Sequence, residues 1–420
     1  MKQERIVSST GTWNKDTIYA LGLCRMLTQV LGIWPLECDN FFAKIRVLVV
    51  ASLQISMNIS LIRELIADCG PFNQMVDFVA LLACSTLALL KVLVIRKNHE
   101  KMLRIIVSAM KDWSSIVDDD SRLIMIKHAY MGRFVFIFQL GSAYMGCVPM
   151  FLGTIIQLIM SLFSGPKISN LMGLNDTTIN VTEAIRYLPM GTPCSVFEMA
   201  TSMYVAIYVL QVVQLFMTCS CNIGTDVYFF ILVMHVCGQF ELLNDSIEKF
   251  GLGKIDENHF DDNYKQQLYE IVERHNHLAR MTKYFEDIFN LIILAQLTAS
   301  GIHISLLGIQ FILGLRYGDV NTVIYVGIAL SVLNLQLFLY SYAGDRLSSQ
   351  IEIIRDAVYS CPWYNMSPKI VKNLIIMIMR SDCSFNLTAG KVYPMNIYNF
   401  KNIVKAIASY FSFLKLMLPA

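Results

Sequence analysis

Four stretches of this chain, 134–163, 199–225, 288–315 and 320–344, contain no Asp, Glu, Lys or Arg at all. A bilayer core about 30 Å thick takes roughly 20 mostly apolar residues in a helix, and each run exceeds that length. Few soluble folds can hide four such runs. Two shorter runs, Val47–Ile62 and Phe78–Leu90, sit between Arg46 and Arg63 and between Asp77 and Lys91. They reach spanning length once their flanking side chains reach for the interface. A seventh, Met395–Leu418, carries Lys401 and Lys405 and is the least apolar, which suits a surface helix or one lining something wet. Composition agrees, with 55% hydrophobic and 16% charged residues against about 25% charged in ordinary soluble domains.

Seven spans put the two ends on opposite sides, and basic residues decide which side is inner. With the N-terminus inside, segments 1–45, 96–133, 238–286 and 343–386 carry 24 Lys and Arg, and the outer segments 67–74, 162–198 and 314–322 carry 3. The opening MKQERIVSSTGTWNKD lacks the apolar core and cleavage site of a signal peptide, so the first insertion signal is expected to be a spanning helix. The sequons at Asn175 and Asn180 fall in the outer loop between spans three and four and are the expected glycosylation sites. The same short pattern also occurs at Asn58, Asn244, Asn365 and Asn386, in segments read as membrane or cytosol. Of the eleven cysteines only Cys69 and Cys194 lie in outer segments, so only they could form an external disulfide.

The inner connections are patterned as helices. No proline interrupts 262–315, so span five is expected to continue far into the cytosol as one helix. Residues 229–250 extend span four, 346–360 extend span six, and with 369–380 they predict an intracellular bundle. Residues 16–31 read as an amphipathic helix near the inner surface. The predicted fold is therefore all-α, with seven transmembrane helices, a cytosolic N-terminus and an extracellular C-terminus. Its expected parts are an N-terminal segment 1–43, spans one to six over 44–342, an inner anchor over 343–385 and a last helix over 386–420.

Chemistry-bearing motifs are few. The sequence holds no Gly-rich phosphate loop, no G-x-S-x-G and no H-E-x-x-H. His275 and His277 diverge by about 200° on a helix and cannot share a metal; they read as surface histidines. No enzyme, no metal and no cofactor is expected. Spans three to six, bounded as above, hold no acidic or basic residue, which argues against a pump or proton-coupled carrier. They offer Tyr144, Cys147, Met150, Phe151, Met199, Met203, Tyr204 and Ile207, a thioether and aromatic set suited to a neutral apolar ligand. Ordinary helix packing would use the same residues.

The most specific stretch closes the chain. Ser384-Phe385-Asn386-Leu387-Thr388-Ala389-Gly390-Lys391-Val392-Tyr393-Pro394-Met395 leads to Ser409-Tyr410-Phe411, and Tyr340-Ser341-Tyr342-Ala343-Gly344 and Cys361-Pro362-Trp363-Tyr364 precede it. In this order the motifs resemble the C-terminal third of the insect odorant receptors. The resemblance implies a plasma-membrane cation channel of four subunits, working with a shared co-receptor in dendrites of olfactory neurons. It implies a ligand site in the outer half among spans two, three, four and six, to which Phe78, Leu82 and Tyr325 are added. It also implies that the last helix lines the pore, with the gate falling on Phe413, Leu416 and Met417; Phe413 is bulkier than the aliphatic residue expected there. At 100° per residue, Asn402, Ala406, Ser409, Phe413 and Leu416 fall within about 60° of one direction, small and polar inside and bulky outside. Lys405 and Lys401 lie about 80° and 120° away. A gustatory receptor shares this topology, but its Thr-Tyr-x-x-x-x-Gln-Phe pattern is absent. A G-protein-coupled receptor needs an outer N-terminus, against the basic-residue bias, and a transporter remains a further alternative.

Overall fold

The computed structural model describes residues 13–67, 72–163, 188–191, 201–250, 260–381 and 385–417. Ten helices account for most of them: α1 Lys15–Val30, α2 Phe41–Ala67, α3 Phe72–Lys97, α4 His99–Ser115, α5 Asp119–Phe163, α6 Thr201–Glu248, α7 Phe260–Tyr317, α8 Val320–Ser360, α9 Pro368–Ser381 and α10 Ile397–Met417. Among the described residues six helices (α2, α3, α5, α6, α7 and α8) are long and apolar enough to cross a membrane. The seventh span is α10, whose 21 residues include the two lysines.

Helix α2 shows why the assembly needs lipid. Its buried face, Ala43, Val50, Gln54, Met57, Leu61 and Glu64, repeats at three to four residues and includes polar groups. The exposed face carries Phe41, Phe42, Leu48, Ile55, Ile59 and Ile66. A large apolar face turned outward marks contact with a non-aqueous partner. Helix α6 is the opposite case. Every residue from Ser220 to Phe240 is buried, polar ones such as Asn222, Asp226 and His235 included, so this segment is the central post. Phe229 there meets Phe289 at 4.6 Å and Tyr340 at 5.3 Å, joining α6 to α7 and α8.

The expected extensions are continuous. Helix α7 runs 58 residues, about 87 Å at 1.5 Å per residue and far longer than a bilayer core of about 30 Å. Short helices complete the inner bundle. Helix α4 buries Met102, Ile105, Ile106, Ala109 and Trp113 at helical spacing, and α9 buries Ile370, Leu374 and Met377.

The amphipathic N-terminal helix is present but docked. Asn14 caps α1 by accepting from the Thr17 N–H at 2.8 Å. Leu21, Cys24 and Leu27 enter the main core, and Leu27 fills the space beside Gly224, where a Cβ would come within 2.6 Å. Its other side shows Ile18, Met26 and Val30. The expectation that His275 lies on the surface is corrected: its side chain is 5% exposed, because the bundle closes around the inner part of α7. His277 instead meets Ser108 Oγ at 2.7 Å. Cys219 is half-buried and Cys221 fully buried. Asn175, Asn180, Cys69 and Cys194 lie outside the described residues.

Candidate functional site

Three groups of residues carry the functional geometry: an outer packing chamber, a polar knot inside the bundle and the attachment of the last helix.

In the outer half, Phe78 of α3 is buried against Met57 and Leu61 of α2, Leu215 of α6 and Met190 of the 188–191 turn, with Leu82 packed beside it. Tyr144 of α5 stacks on Phe216 of α6 at 4.6 Å and 18° and meets Ser220 Oγ at 2.8 Å. Ile207 packs on a separate cluster of Leu188, Tyr204 and Tyr208. The structure does not bring Met203 or Tyr325 to Phe78, since both side chains are more than half exposed. Tyr325 instead borders an open cavity of about 220 Å³ with Asp77, Gln310, Tyr317, Asp319 and Thr322. Gln310 Nε2 donates to Asp77 Oδ1 at 3.1 Å across it, joining α7 to α3. Cys147, Met150 and Phe151 lie on α5, but their side chains, like the whole of Met199, are outside the described residues.

Below the chamber the structure corrects the reading that spans three to six hold no ionisable group: Asp226 is buried within α6, one residue past the charge-free run. Lys91 of α3, fully buried, donates to Asp226 Oδ1 of α6 at 2.5 Å and to Gln296 Oε1 of α7 at 2.7 Å. Tyr340 of α8 donates its hydroxyl to the same Asp226 oxygen at 2.5 Å, and Gln336 Nε2 reaches Oδ2 at 3.3 Å. One ion pair thus ties four helices together. Buried charges persist only when paired and hydrogen-bonded, which is the condition met here. Sequence reasoning missed the pair because charge-free runs were ended at their first charge, at Leu90 and at Thr225. A Lys and an Asp each abutting such a run were the available signal.

The last helix is hung by its N-terminal end. Strands β1 Thr388–Ala389 and β2 Tyr393–Pro394 pair antiparallel. The turn between them has φ of 62° at Gly390 and 61° at Lys391, with Val392 N–H donating to Ala389 O at 3.2 Å. Two positive φ values in that frame make a type I′ turn, the form whose twist matches a hairpin. Glu286 of α7 accepts from both the Thr388 N–H, at 2.9 Å, and the Thr388 hydroxyl. Gly390 N–H donates to Asn290 O at 2.9 Å. On the α8 side, Ser348 Oγ donates to Phe385 O at 2.6 Å. Gly344 lies so close to the Met395 carbonyl that a Cβ there would collide with backbone. Asp345 Oδ1 accepts from the Ile397 N–H at 3.4 Å, at the first turn of α10. The Leu-Thr-Ala-Gly-Lys run and the Tyr-Ala-Gly run are the two halves of one clamp.

Beyond the clamp α10 leans on its neighbours through one side. Phe400 meets Phe338 at 5.5 Å, Phe411 meets Phe311 at 6.4 Å, and Tyr410 hydroxyl donates to Ser305 O at 3.4 Å. Asn402, Ala406, Ser409 and Phe413 are exposed on this chain, and so are Lys401 and Lys405. Leu416 and Met417 are within α10, with side chains outside the described residues. Among the described residues no group of three His, Cys, Asp or Glu is arranged to hold a metal.

The geometry defines a multi-pass, all-helical membrane protein whose terminal span is clamped to the inner ends of two others. The chain belongs to the 7tm Odorant receptor family, which matches residues 72–408. It is 30% identical to Odorant receptor 13a of Drosophila melanogaster over 204 residues, 45% of this chain and 48% of that one. It is 27% identical to the Odorant receptor coreceptor of the same species over 142 residues, 33% and 28% of the two chains. The chain spans about half the length of the curated relatives it matches first. The fold superposes on the insect olfactory receptor OR5 from Machilis hrabei in complex with eugenol with a TM-score of 0.72, 14% identity, and coverage of 96% of this chain and 100% of that one. These neighbours are receptors.

Proposed function

We propose that this chain is an odour-gated, non-selective cation-channel subunit of the plasma membrane, working with a shared co-receptor in a heterotetramer and binding a small, volatile, apolar ligand. The observation that carries the reading is the two-sided last helix. One side is clamped to α7 and α8, while the uncharged stripe Asn402, Ala406, Ser409 and Phe413 is left uncovered on a single chain. A stripe small and polar at one end and bulky at the other suits a conduction path that closes by dewetting. The co-receptor among the relatives and a small aromatic ligand in the structural neighbour support the partner and ligand class. The chamber we assign is the outer half of 44–342, around Phe78, Leu82 and Tyr144, with Cys147, Met150, Phe151 and Met199 as further lining. The inner anchor is 343–385 and the pore helix 386–420, its gate at Phe413, Leu416 and Met417. Glycans sit on Asn175 and Asn180 in this reading, and the working site is the dendrite of an olfactory neuron.

Ligand need only bind the open arrangement more tightly to shift the population toward it. Cells expressing this chain with the co-receptor should pass current when exposed to a panel of volatiles. Silence across a broad panel, with surface expression shown by labelling, would overturn the reading.

A further inference from the structure

The Lys91–Asp226 pair lies between the two parts that a receptor of this kind must connect. Above it, Asn222 Nδ2 donates to Cys84 O at 2.9 Å, two residues from Leu82 in the chamber, and Lys91 also donates to Asn222 O at 3.3 Å. Below it, Tyr340 holds Asp226 Oδ1, and one helical turn further along α8 come Gly344 and Asp345, which grip Met395 and Ile397 at the head of α10. The links between elements in this series are hydrogen bonds, apart from the close approach of Gly344 to the Met395 carbonyl.

The pair also has an alternative arrangement close by. Asn222 Oδ1 is buried and has no hydrogen-bond partner among the described residues. Asp226 Oδ1 takes two donors, whereas Oδ2 takes one at 3.3 Å. A shift of α3 against α6 would let the Lys91 ammonium exchange its carboxylate bond for Asn222 Oδ1. Tyr340 would then have Asp226 Oδ1 to itself. Coupling between sites needs an element with two discrete arrangements that both sites bias, and a buried ion in a membrane bundle is a functional group by default.

We propose that Lys91–Asp226 is the joint that passes a movement of the outer chamber to the base of the last helix, with Tyr340 as the positioning residue that reads it. The inference rests on the proposed channel function and names the route inside it.

Tyr340→Phe is the cleanest test, because the ring can stay stacked on Phe229 while only the O–H donor is removed. The full chain would be expressed with the co-receptor, carrying Tyr398→Cys on the exposed first turn of α10. Two readouts are taken at surface densities matched within about twofold: the resting rate of thiosulfonate labelling at position 398, and the odorant concentration giving half-maximal current. Tyr340→Phe is expected to change both at least threefold. Unchanged values for both would reduce the network to packing and overturn the joint. Lys91→Arg, which keeps the charge and alters the reach, serves if Tyr340→Phe fails to reach the surface; it carries the same expectation and the same refutation. A wild-type chain that passes no odour current, with a labelling rate that still responds to Tyr340→Phe, would remove the channel reading and retain the joint.

Discussion

The carboxylate of Glu286 accepts the backbone N–H of Thr388 at 2.9 Å across 102 residues of sequence, and takes the hydroxyl of the same residue. Hydrogen bonds to a charged acceptor contribute about 1.5–3 kcal/mol each. Glu286→Ala removes two of them and leaves the hairpin held on the α7 side by the Asn290 carbonyl and by packing of Leu294 on Gly390. We expect a loss of up to about 3–6 kcal/mol from the clamp, seen as a lower unfolding temperature of the purified protein. Glu286→Gln, which keeps an acceptor, should recover part of it. Equal unfolding temperatures for wild type and Glu286→Ala would refute this role.

Gly344 is fixed by contact rather than by backbone freedom. It lies inside α8, where alanine would ordinarily be the better helix former by about 1 kcal/mol, yet its missing Cβ is where the Met395 carbonyl passes. Gly344→Ala should therefore destabilise by about 1–3 kcal/mol through overpacking and push the head of α10 away from α8. Reduced surface density, together with faster labelling of Tyr398→Cys, is the expected pair of results. A stabilised protein would mean that the contact is not maintained.

Phe413 is the bulky end of the uncovered stripe on α10, with its side chain 54% exposed on one chain. Under the proposed function Phe413→Ala widens the constriction and raises ligand-independent current several-fold at equal surface density, because a narrower apolar ring excludes water better. Ser409→Cys should become modifiable by permeant thiol reagents during activation. Normal resting current in Phe413→Ala and an inert Ser409→Cys would together remove this face from the pore.

His275 sits in the inner bundle, where burial lowers its affinity for protons and the Arg380 guanidinium lowers it further below 6.5. A histidine with a depressed folded value adds stability that is present above its unfolded value and lost as pH falls through the folded one. The bundle should therefore weaken as pH drops below about 6.5. His277, lowered by burial and by Arg274, acts in the same direction. His275→Gln should flatten the fall in unfolding temperature between about pH 7 and pH 5. An unchanged pH profile would show that the bundle does not feel this group.

Helix continuity was legible at the level of single residues. The absence of proline from 262 to 315 predicts α7 as one rod, and the rod runs Phe260–Tyr317. The continuation of span four through 229–250 was legible in the same way, since α6 runs unbroken over Thr201–Glu248. Chamber membership was not. Phe78 and Leu82 share a cluster, whereas Met203 is more than half exposed and Tyr325 borders the separate Asp77–Gln310 cavity. A membrane helix can point apolar groups at lipid or at protein equally well, so hydrophobicity carries no direction there.

What the amino-acid order determined by itself is the number of spans, their lengths and the sidedness implied by basic residues, since transfer into a bilayer is a local property summed over about 20 residues. Only the tertiary structure decided that Lys91 and Asp226, 135 positions apart, meet, and that Glu286 receives Thr388. Such pairings depend on how rods of fixed length rotate and slide against one another. That choice is made by packing among several helices at once, and no single stretch of the chain encodes it.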